Sequence, residues 1–397
     1  MLRNILIVAP FVSLPGEPYF NRFLYLAQMW SKEYSVTLVT SRFCHFLKSH
    51  RTPEDPRYRD LSFELVLLNE PGYRTNVSIG RFVSHYSFVS ALRIWLEAQE
   101  GKRYFDIAYS AYPLIASNIV LADFRHRLGY KLIIDIQDVW PESISAAFPI
   151  LNRFKWLLLP LSRKADSAYA AGDGLVAVSK TYLTRSRRKC PEKPGMVAYL
   201  GSDRALVDSI PAESLRSDGP HLIYLGTLSH SYDVATCVQG IKRLRQRYPN
   251  LKLHILGDGP QLAQIRSLAG EGVLFYGFVH YNRMVAIAKS CDLAINPIVK
   301  SAAQSVTNKI SDYFTLGLPI INSQQNPEVV KLIDEAGGGQ YEAGNIVSFC
   351  AVVEWFINRS DRDIIKERTR AMAVRLFDRG VTYPTITKFM QNIAKAD

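Results

Sequence analysis

Short apolar runs that alternate with helical segments limit most strongly how this chain of 397 residues can fold. The first run, residues 4–9, is followed by a loop containing Pro and Gly, a helical segment at about 19–32, and a second apolar run at 35–40. A strand, a helix and a parallel strand in this order form a right-handed crossover unit. The pattern predicts an α/β protein with doubly wound parallel sheets, which bind ligands beyond the carboxyl ends of their strands.

A polar segment divides this series of strands and helices into two. Residues 201–219 are rich in Gly, Ser, Asp and Pro, which favour loops, so we expect a linker there. The expected domains are residues 1–200 and 220–382, and the chain length agrees with two domains. A final helical segment, 383–397, is expected after a break at Gly380.

The composition excludes several classes of protein. Apolar residues make up 48% and charged residues 21% of the chain, which excludes disordered and collagen-like proteins. The five cysteines are scattered without a CxxC pair, so we expect reduced thiols and no metal site or disulfide framework. No secretory signal is recognisable, and no apolar run approaches the roughly 20 residues of a spanning helix. We therefore expect a soluble or peripheral protein.

The net charge of +12 is unevenly distributed along the chain. Residues 1–200 contain 26 Lys and Arg against 17 Asp and Glu, whereas the remainder is close to balanced. This imbalance indicates an anionic surface or an acidic ligand as partner, although solubility alone is an alternative explanation. Nucleic acid is not an expected partner, because no recognised binding motif accompanies the basic residues.

The segment 304–323 predicts a helix whose start can bind an anion. Thr307 and Asn308 favour a helix cap, and a helix start offers unpaired backbone N–H groups and a partial positive charge to a phosphate. Lys309 adds a full charge, and Asp312, about one turn further, could accept hydrogen bonds from a sugar diol. Phosphate and diol together describe a nucleotide. An ordinary surface helix with an exposed Asp312 is the alternative.

Two further loops of the second series follow apolar strands. Gly226 and Thr227 come after the first strand, and Gly257, Asp258 and Gly259 come after the next. We expect both loops to converge with the helix start on one ligand, since the carboxyl ends of parallel strands share an edge. The G-D-G-P sequence alone could equally be a tight turn.

The first series has its own candidates at strand ends. Asp138 and Glu142 follow the apolar run 132–136, where an α/β sheet places working groups, although Asp138 could instead cap the next helix. Gly16, in the loop after the first strand, would let the backbone approach a ligand, and a plain turn is the alternative.

Two segments of the first series mix aromatic and basic residues. Residues 73–99 place Phe82 and Tyr86 at helical spacing among arginines, and residues 151–165 surround Trp156 and three leucines with Arg and Lys. Either segment could lie at a lipid headgroup boundary. Either could instead be a helix packed on the domain core.

Two motifs resemble a known enzyme family. The order T-N-K-x-x-D-Y-x-x-x-G-L-P-I-I-N at residues 307–322 resembles the donor-binding segment of glycosyltransferase family 4, retaining enzymes of GT-B fold. The D-x-W-P-E sequence at 138–142 resembles a bacterial subgroup of that family that builds capsule, O-antigen and exopolysaccharide. The resemblance spans essentially the whole chain. It implies two Rossmann-like domains facing across a cleft, with the segment 383–397 returning to the N-terminal domain.

The resemblance also implies roles for single residues. Asp312 matches a carboxylate that holds the nucleotide ribose, whereas Gln304 stands where the family has an acidic residue near the transferred sugar. Family members often have Arg or Lys in the loop after the first donor-domain strand, where this chain has His230, which leaves Lys309 as the principal cation. The nucleotide base would lie near Tyr276 and Gly277.

The implied activity is retaining transfer of a sugar from a nucleotide-diphosphate-sugar to a lipid-linked glycan acceptor, in surface polysaccharide biosynthesis. The enzyme would act in the cytoplasm, peripheral on the inner face of the cell membrane, with no metal and no cofactor beyond the donor. The residues expected to serve catalysis are Asp138, Glu142, Gln304 and Lys309. A nucleotide-sugar 2-epimerase of similar fold and a non-catalytic nucleotide-sugar binding protein are the alternatives.

Overall fold

The computed structural model describes residues 2–18, 20–75, 78–142, 159–215, 219–300, 302 and 304–396. The chain forms two compact units, which are treated separately below. Unit 1 comprises Met1–Ala198 together with Tyr383–Asp397, and unit 2 comprises Tyr199–Thr382.

Unit 1 is a parallel sheet with helices and one small hairpin. Its strands are β1 (Asn4–Val8), β2 (Ser35–Ser41), β3 (Phe43–Cys44), β4 (Ser49–His50), β5 (Glu64–Leu68), β6 (Ile107–Tyr112), β7 (Lys131–Ile136), β8 (Gly174–Ala177) and β9 (Gly195–Val197). Its helices are α1 (Arg22–Trp30), α2 (Ile79–Gln99), α3 (Ile115–Leu128), α4 (Leu159–Ala171) and α5 (Lys180–Ser186). The sheet order is β5-β2-β1-β6-β7-β8-β9, and β3 and β4 pair antiparallel outside it. The central strands are buried along nearly their whole length, as expected for a parallel sheet covered on both faces.

The last helix of the chain, α14 (Arg379–Lys395), packs into the core of unit 1. Tyr383, Ile386, Met390 and Ile393 share a buried cluster with the first strands of the unit. This arrangement agrees with the returning helix that the family resemblance implies. The expected break is present but falls at Phe377 and Asp378, because Gly380 lies in the first turn of α14, where its N–H donates to the Asp378 side chain.

Unit 2 is a second parallel sheet. Its strands are β10 (His221–Leu225), β11 (Lys252–Leu256), β12 (Val273–Gly277), β13 (Leu293–Asn296), β14 (Ile320–Asn322) and β15 (Gly339–Gln340). Its helices are α6 (Arg204–Ser209), α7 (Val234–Leu244), α8 (Leu262–Leu268), α9 (Tyr281–Lys289), α10 (Asn308–Leu316), α11 (Pro327–Ala336), α12 (Ile346–Ile357) and α13 (Arg362–Leu376). The sheet order is β12-β11-β10-β13-β14-β15. The order reverses between β10 and β13, which is where doubly wound sheets bind nucleotides.

Three local predictions need correction or qualification. The predicted linker contains α6 and packs on unit 2, where the N–H of Glu213 donates to the carbonyl of Ala286 on α9. Residues 41–60, where the sequence shows no strand signal, contain the β3–β4 hairpin, which is too short to show an alternating pattern. In the predicted membrane segment 151–165, residues 151–158 lie outside the described residues.

Candidate active site

The loops that follow β10 and β11 cross in direct backbone contact. Gly257 has φ +153°, and a Cβ on it would lie 1.9 Å from the carbonyl oxygen of Gly226. Gly259 has φ +158°, and a Cβ there would lie 2.4 Å from the carbonyl oxygen of Leu228. The N–H of Leu228 in turn donates to the carbonyl of Asp258 at 2.9 Å. These contacts need glycine on steric grounds and fix the two loops against each other.

The start of α10 meets the same loops and leaves polar groups without protein partners. Thr307 caps the helix in an extended conformation, but its side chain makes no capping hydrogen bond. The buried Oγ1 of Thr307 and Oε1 of Gln304 have no hydrogen-bond partner among the described residues. Because buried polar atoms in proteins are nearly always paired, these two atoms are available to a ligand or to water.

Lys309 reaches from the first turn of α10 to the Gly226 loop. Its Nζ lies 3.4 Å from the hydroxyl of Tyr224 and 3.7 Å from the centroid of the Tyr232 ring. A Cβ on Gly226 would lie 3.1 Å from this Nζ, so the glycine leaves room for the amine. Burial lowers the pKa of Lys309 to about 7, because the charged form loses its hydration. The amine is therefore poised to gain a proton when a negative group arrives.

Asp312 lies on the next turn of α10 and already has protein partners. Its Oδ1 accepts hydrogen bonds from Ser202 Oγ at 2.6 Å and from Tyr281 Oη at 3.2 Å. Burial raises the pKa of this carboxyl, while Ser202, Arg379 and Tyr281 oppose the rise. The alternative of an exposed surface carboxylate is therefore wrong. An ionised carboxylate accepts about four hydrogen bonds, so Asp312 retains capacity for a diol.

The other predicted donor-binding residues of unit 2 are either exposed or held in local hydrogen bonds. Thr227 and His230 are exposed on the loop after β10, and His230 Nδ1 lies 3.0 Å from the Gln261 amide nitrogen. The Asp258 carboxylate accepts from the N–H of Gly259 at 2.7 Å, which gives it a role in the turn. Asn308 is exposed at the helix start.

Tyr276 and Gly277, the residues predicted near the base, end strand β12. The Tyr276 hydroxyl lies 2.9 Å from Nδ1 of the buried His254, so its side chain packs along the sheet. Gly277 has φ +66°, and a Cβ there would meet nothing within 4 Å. The space beside Gly277 is therefore open.

The candidates of unit 1 are engaged within that unit. Gly16, with φ +82°, packs directly against the Arg57 side chain. The Asp138 carboxylate accepts hydrogen bonds from the N–H of Val139 and from Trp140 Nε1. Glu142 forms an ion pair with Arg185, which also binds Asp166 at 2.6 Å. Any role of Asp138 or Glu142 toward a substrate would involve these shared hydrogen bonds.

Four functional contacts could not be foreseen from the sequence. Tyr224 and Tyr232 enclose the Lys309 amine, and Ser202 and Tyr281 hold Asp312. The only sequence signal is the position of Tyr224 near a strand end and Tyr281 at a helix start. Tyrosines in such places are usually part of the core, so spacing alone does not distinguish them.

The described residues contain neither a metal-binding cluster nor a helix that could span a membrane. No group of three or more His, Cys, Asp or Glu side chains that could hold a metal ion occurs in the part of the chain that the structure describes. Among the described helices, none combines the length and the apolar character needed to cross a membrane.

Most of unit 2 matches a known family of sequences. Residues 219–358 match the family model described as Glycosyl transferases group 1. The matched range contains the crossed glycine loops, Lys309 and Asp312. No curated protein sequence matches the chain.

Solved structures share the fold of the whole chain at low sequence identity. Sucrose-phosphate synthase from Thermosynechococcus elongatus has a TM-score of 0.72 and 14% identity, with 99% of this chain and 100% of that chain covered. A glycosyltransferase from Rickettsia africae has a TM-score of 0.70 and 11% identity, with both chains covered completely. HepE from Anabaena, in complex with UDP, has a TM-score of 0.67 and 14% identity, with 98% and 100% covered. The same protein has also been solved with UDP-glucose. The chain therefore has a GT-B fold, and residues 219–358 match a glycosyltransferase domain.

Proposed function

We propose that this protein moves a sugar from a nucleotide-diphosphate-sugar to a lipid-linked glycan, with retention of anomeric configuration. The observation that carries the proposal is the convergence of three features on one point of unit 2. The start of α10, the Lys309 amine and the crossed loops at Gly226 and Gly257 meet beside the reversal of strand order. Backbone N–H groups and an amine at such a place suit a diphosphate.

Further contacts favour a nucleotide-sugar over a free phosphate. Asp312, one turn after Asn308 on α10, can accept hydrogen bonds from the ribose hydroxyls. The side-chain atoms Oγ1 of Thr307 and Oε1 of Gln304 remain for the sugar or the phosphates. HepE, which has the same fold, binds UDP and UDP-glucose, which supports this class of donor.

The chemical step follows from these groups. The bond between the anomeric carbon and the diphosphate oxygen breaks while the acceptor hydroxyl oxygen bonds to that carbon from the same face. The helix N–H groups and protonated Lys309 stabilise the charge on the leaving diphosphate, which takes up the acceptor proton. Gln304 hydrogen-bonds the transferred sugar, and Asp138 and Glu142 orient acceptor hydroxyls. Neither a metal ion nor a further cofactor is part of the proposed step.

The proposed acceptor is a lipid-linked glycan of bacterial surface polysaccharide assembly, such as capsule or O-antigen. The resemblance of D-x-W-P-E at residues 138–142 to that subgroup and the basic residues of unit 1 support this assignment. The enzyme would then work on the cytoplasmic face of the cell membrane, bound peripherally.

A product assay tests the proposed function. The purified protein is incubated with a panel of radiolabelled nucleotide-sugars and with lipid-linked glycans extracted from bacterial membranes. We expect label in the lipid fraction, and proton NMR of the product should show the anomeric configuration of the donor. A C2-epimerised nucleotide-sugar formed without acceptor, binding without turnover, or an inverted product would each contradict the proposal.

A Lys309→Met variant tests whether sugar transfer depends on the site at the start of α10. Met keeps the length and apolar stem of the side chain but removes the amine, so we expect transfer to fall at least 100-fold. Lys331→Met is the matched control, because Lys331 is an exposed residue on α11. Equal activity of the two variants would remove Lys309 from the reaction.

A further inference from the structure

The first half of α2 presents a row of apolar side chains to solvent. Ile79, Phe82, Val83 and Tyr86 are 83, 69, 52 and 76% exposed, respectively. Their spacing of three and four residues places them on one face of the helix. Another face of α2 packs against the rest of unit 1 and buries residues such as Phe88. The exposed row is therefore not needed for the core of unit 1.

The β3–β4 hairpin adds two exposed apolar residues, Phe46 and Leu47, to this row. Tyr73 joins the two elements, because its ring lies 5.7 Å from the ring of His45 in the hairpin and 6.0 Å from that of His85 on α2. The six exposed side chains therefore belong to neighbouring elements. We call them the α2–hairpin face: Phe46, Leu47, Ile79, Phe82, Val83 and Tyr86.

The only charged residues in the segments that form this face are positive, and Glu70, next to them, is buried and accepts a hydrogen bond from Ser84. Residues 42–50 and 71–96 contain Arg and Lys but no Asp or Glu. The Lys48 amine lies 4.5 Å above the Tyr73 ring, and the Arg81 guanidinium lies 5.8 Å from the same ring. Burial, aided by Lys48 and Arg81 at His45 and by Arg81 at His85, lowers the pKa of both imidazoles to about 4, so both are neutral at pH 7. The positive charge thus comes from Lys and Arg.

The face also lies beside the edge of the unit 1 sheet that is formed by the carboxyl ends of its strands. Phe11, which follows the carboxyl end of β1, has its ring 5.3 Å from the ring of His45 and 5.4 Å from that of His85. Parallel α/β sheets bind substrates at this edge. A surface that held lipid at the α2–hairpin face would therefore bring lipid-linked molecules next to that edge.

We propose that the α2–hairpin face is the surface by which the protein docks on an anionic lipid bilayer. Exposed aromatic and aliphatic side chains flanked by Lys and Arg match the boundary between acyl chains and anionic headgroups. A second copy of the chain is a poorer occupant, because a two-fold contact through this face would bring like charges together. The role of the docked lipid as acceptor rests on the proposed function, whereas docking itself does not.

Vesicle binding without donor or acceptor tests the docking surface. The full-length protein is floated with vesicles of phosphatidylcholine containing 30% phosphatidylglycerol, and with phosphatidylcholine alone. We expect binding to the anionic vesicles only, weakening as salt rises. Absence of binding to anionic vesicles at low salt would overturn the proposal.

Paired substitutions test whether the α2–hairpin face is the surface that binds the vesicles. Phe82→Ser combined with Tyr86→Ser should weaken vesicle binding at least tenfold, while Val347→Ser combined with Ile364→Ser, at exposed apolar positions of unit 2, should leave it unchanged. Circular dichroism checks that each variant is folded. If the Phe82 and Tyr86 variant binds as tightly as the parent, the face is not the docking surface.

Lys48 permits a sharper charge test. It adopts φ +55°, a conformation that glycine tolerates without strain, so Lys48→Gly removes the amine and keeps the backbone. We expect about fivefold weaker vesicle binding, the effect of one basic residue at an anionic surface. Unchanged binding would exclude Lys48 from the docking surface.

Two further measurements distinguish membrane docking from self-association and from a failure of the proposed function. Light scattering that shows a dimer in the parent and a monomer in the Phe82 and Tyr86 variant would assign the face to self-association and overturn docking. Transfer to a water-soluble acceptor analogue should persist in that variant. If the Phe82 and Tyr86 variant loses vesicle binding but retains transfer, docking is supported. If the parent protein itself shows no transfer, that result counts against the proposed function and not against docking.

Discussion

The Nζ atom of Lys309 lies 3.7 Å from the centroid of the Tyr232 ring, at the first turn of α10. The π-face of a tyrosine partly replaces water around an ammonium group. The ring does not replace all of the lost water, so burial lowers the pKa of Lys309 to about 7. The site thus holds an amine whose charge depends on what occupies the space beside Gly226.

Donor affinity should therefore depend on pH. A bound diphosphate favours the charged amine, so its pKa rises in the complex and binding takes up a proton. Above pH 7 the dissociation constant for the bound nucleotide-sugar should rise, by up to about tenfold per pH unit. Isothermal calorimetry between pH 6.5 and 8.5 measures this. Lys309→Met should bind more weakly and without this pH dependence; the same slope in both proteins would exclude Lys309 as its source.

Gly257→Ala should disrupt the crossed loops. The added Cβ would lie 1.9 Å from the Gly226 carbonyl oxygen, so both loops must move. We expect a loss of stability of about 1–3 kcal/mol from overpacking, in addition to about 1–2 kcal/mol for a side chain at positive φ. Gly277→Ala is the matched control, because its Cβ meets nothing within 4 Å and only the second cost applies. Thermal melting that shows equal losses would contradict the close approach.

Asp312→Ala should weaken nucleotide binding by about 1–3 kcal/mol, the scale for losing a charged hydrogen-bond acceptor. The substitution also removes the partner of Ser202 and Tyr281, so thermal melting must accompany the calorimetry. Asp363→Ala, at an exposed carboxylate on α13, is the control and should bind the nucleotide normally. Unchanged affinity in a folded Asp312→Ala protein would reject the ribose contact.

The buried ion pair between Arg22 and Asp135 should be essential to unit 1. Arg22 Nη1 lies 3.1 Å from the Asp135 carboxylate with no exposure of either side chain, and Arg22 also donates to the Tyr383 hydroxyl and the Ala198 carbonyl. Arg22→Met leaves a buried carboxylate without its cation, which costs about 3–5 kcal/mol. Hydrogen exchange of peptides from β1 and β7 measures the loss.

An exposed ion pair of equal length provides the control for Arg22. Arg93 and Asp123 are also 3.1 Å apart, but both side chains are about half exposed. Arg93→Met should change stability by no more than about 1 kcal/mol, because water screens the pair. Similar effects of the two substitutions would show that burial does not decide the strength of these contacts.

Most strands and helices of both units could be predicted, because alternation of apolar runs with helical segments is a local signal. The apolar runs at 4–9, 35–40 and 132–136 coincide with β1, β2 and β7 to within one residue at either end. The β3–β4 hairpin was missed, since two strands of two residues leave no periodicity.

Contacts between distant residues could not be predicted. Ser202 is 110 positions from Asp312, and no spacing rule relates a hydroxyl in an expected linker to a carboxylate on α10. The periodicity of α2 showed which side chains share a face but not that Phe82 and Tyr86 would stay exposed. Whether a helix face is covered depends on the neighbouring elements, which a single sequence does not specify.

The measurement that tests the central claim most directly is a thermal-shift and calorimetric screen of nucleoside diphosphates and their sugars. Parent protein, Lys309→Met and Lys331→Met are compared at pH 7. We predict that one class of nucleotide-sugar stabilises the parent and the Lys331 variant, since a ligand that binds only the folded state raises its stability. The Lys309 variant should lose most of this effect. Stabilisation of all three proteins alike, or of none by any nucleotide, would contradict a donor site at the start of α10.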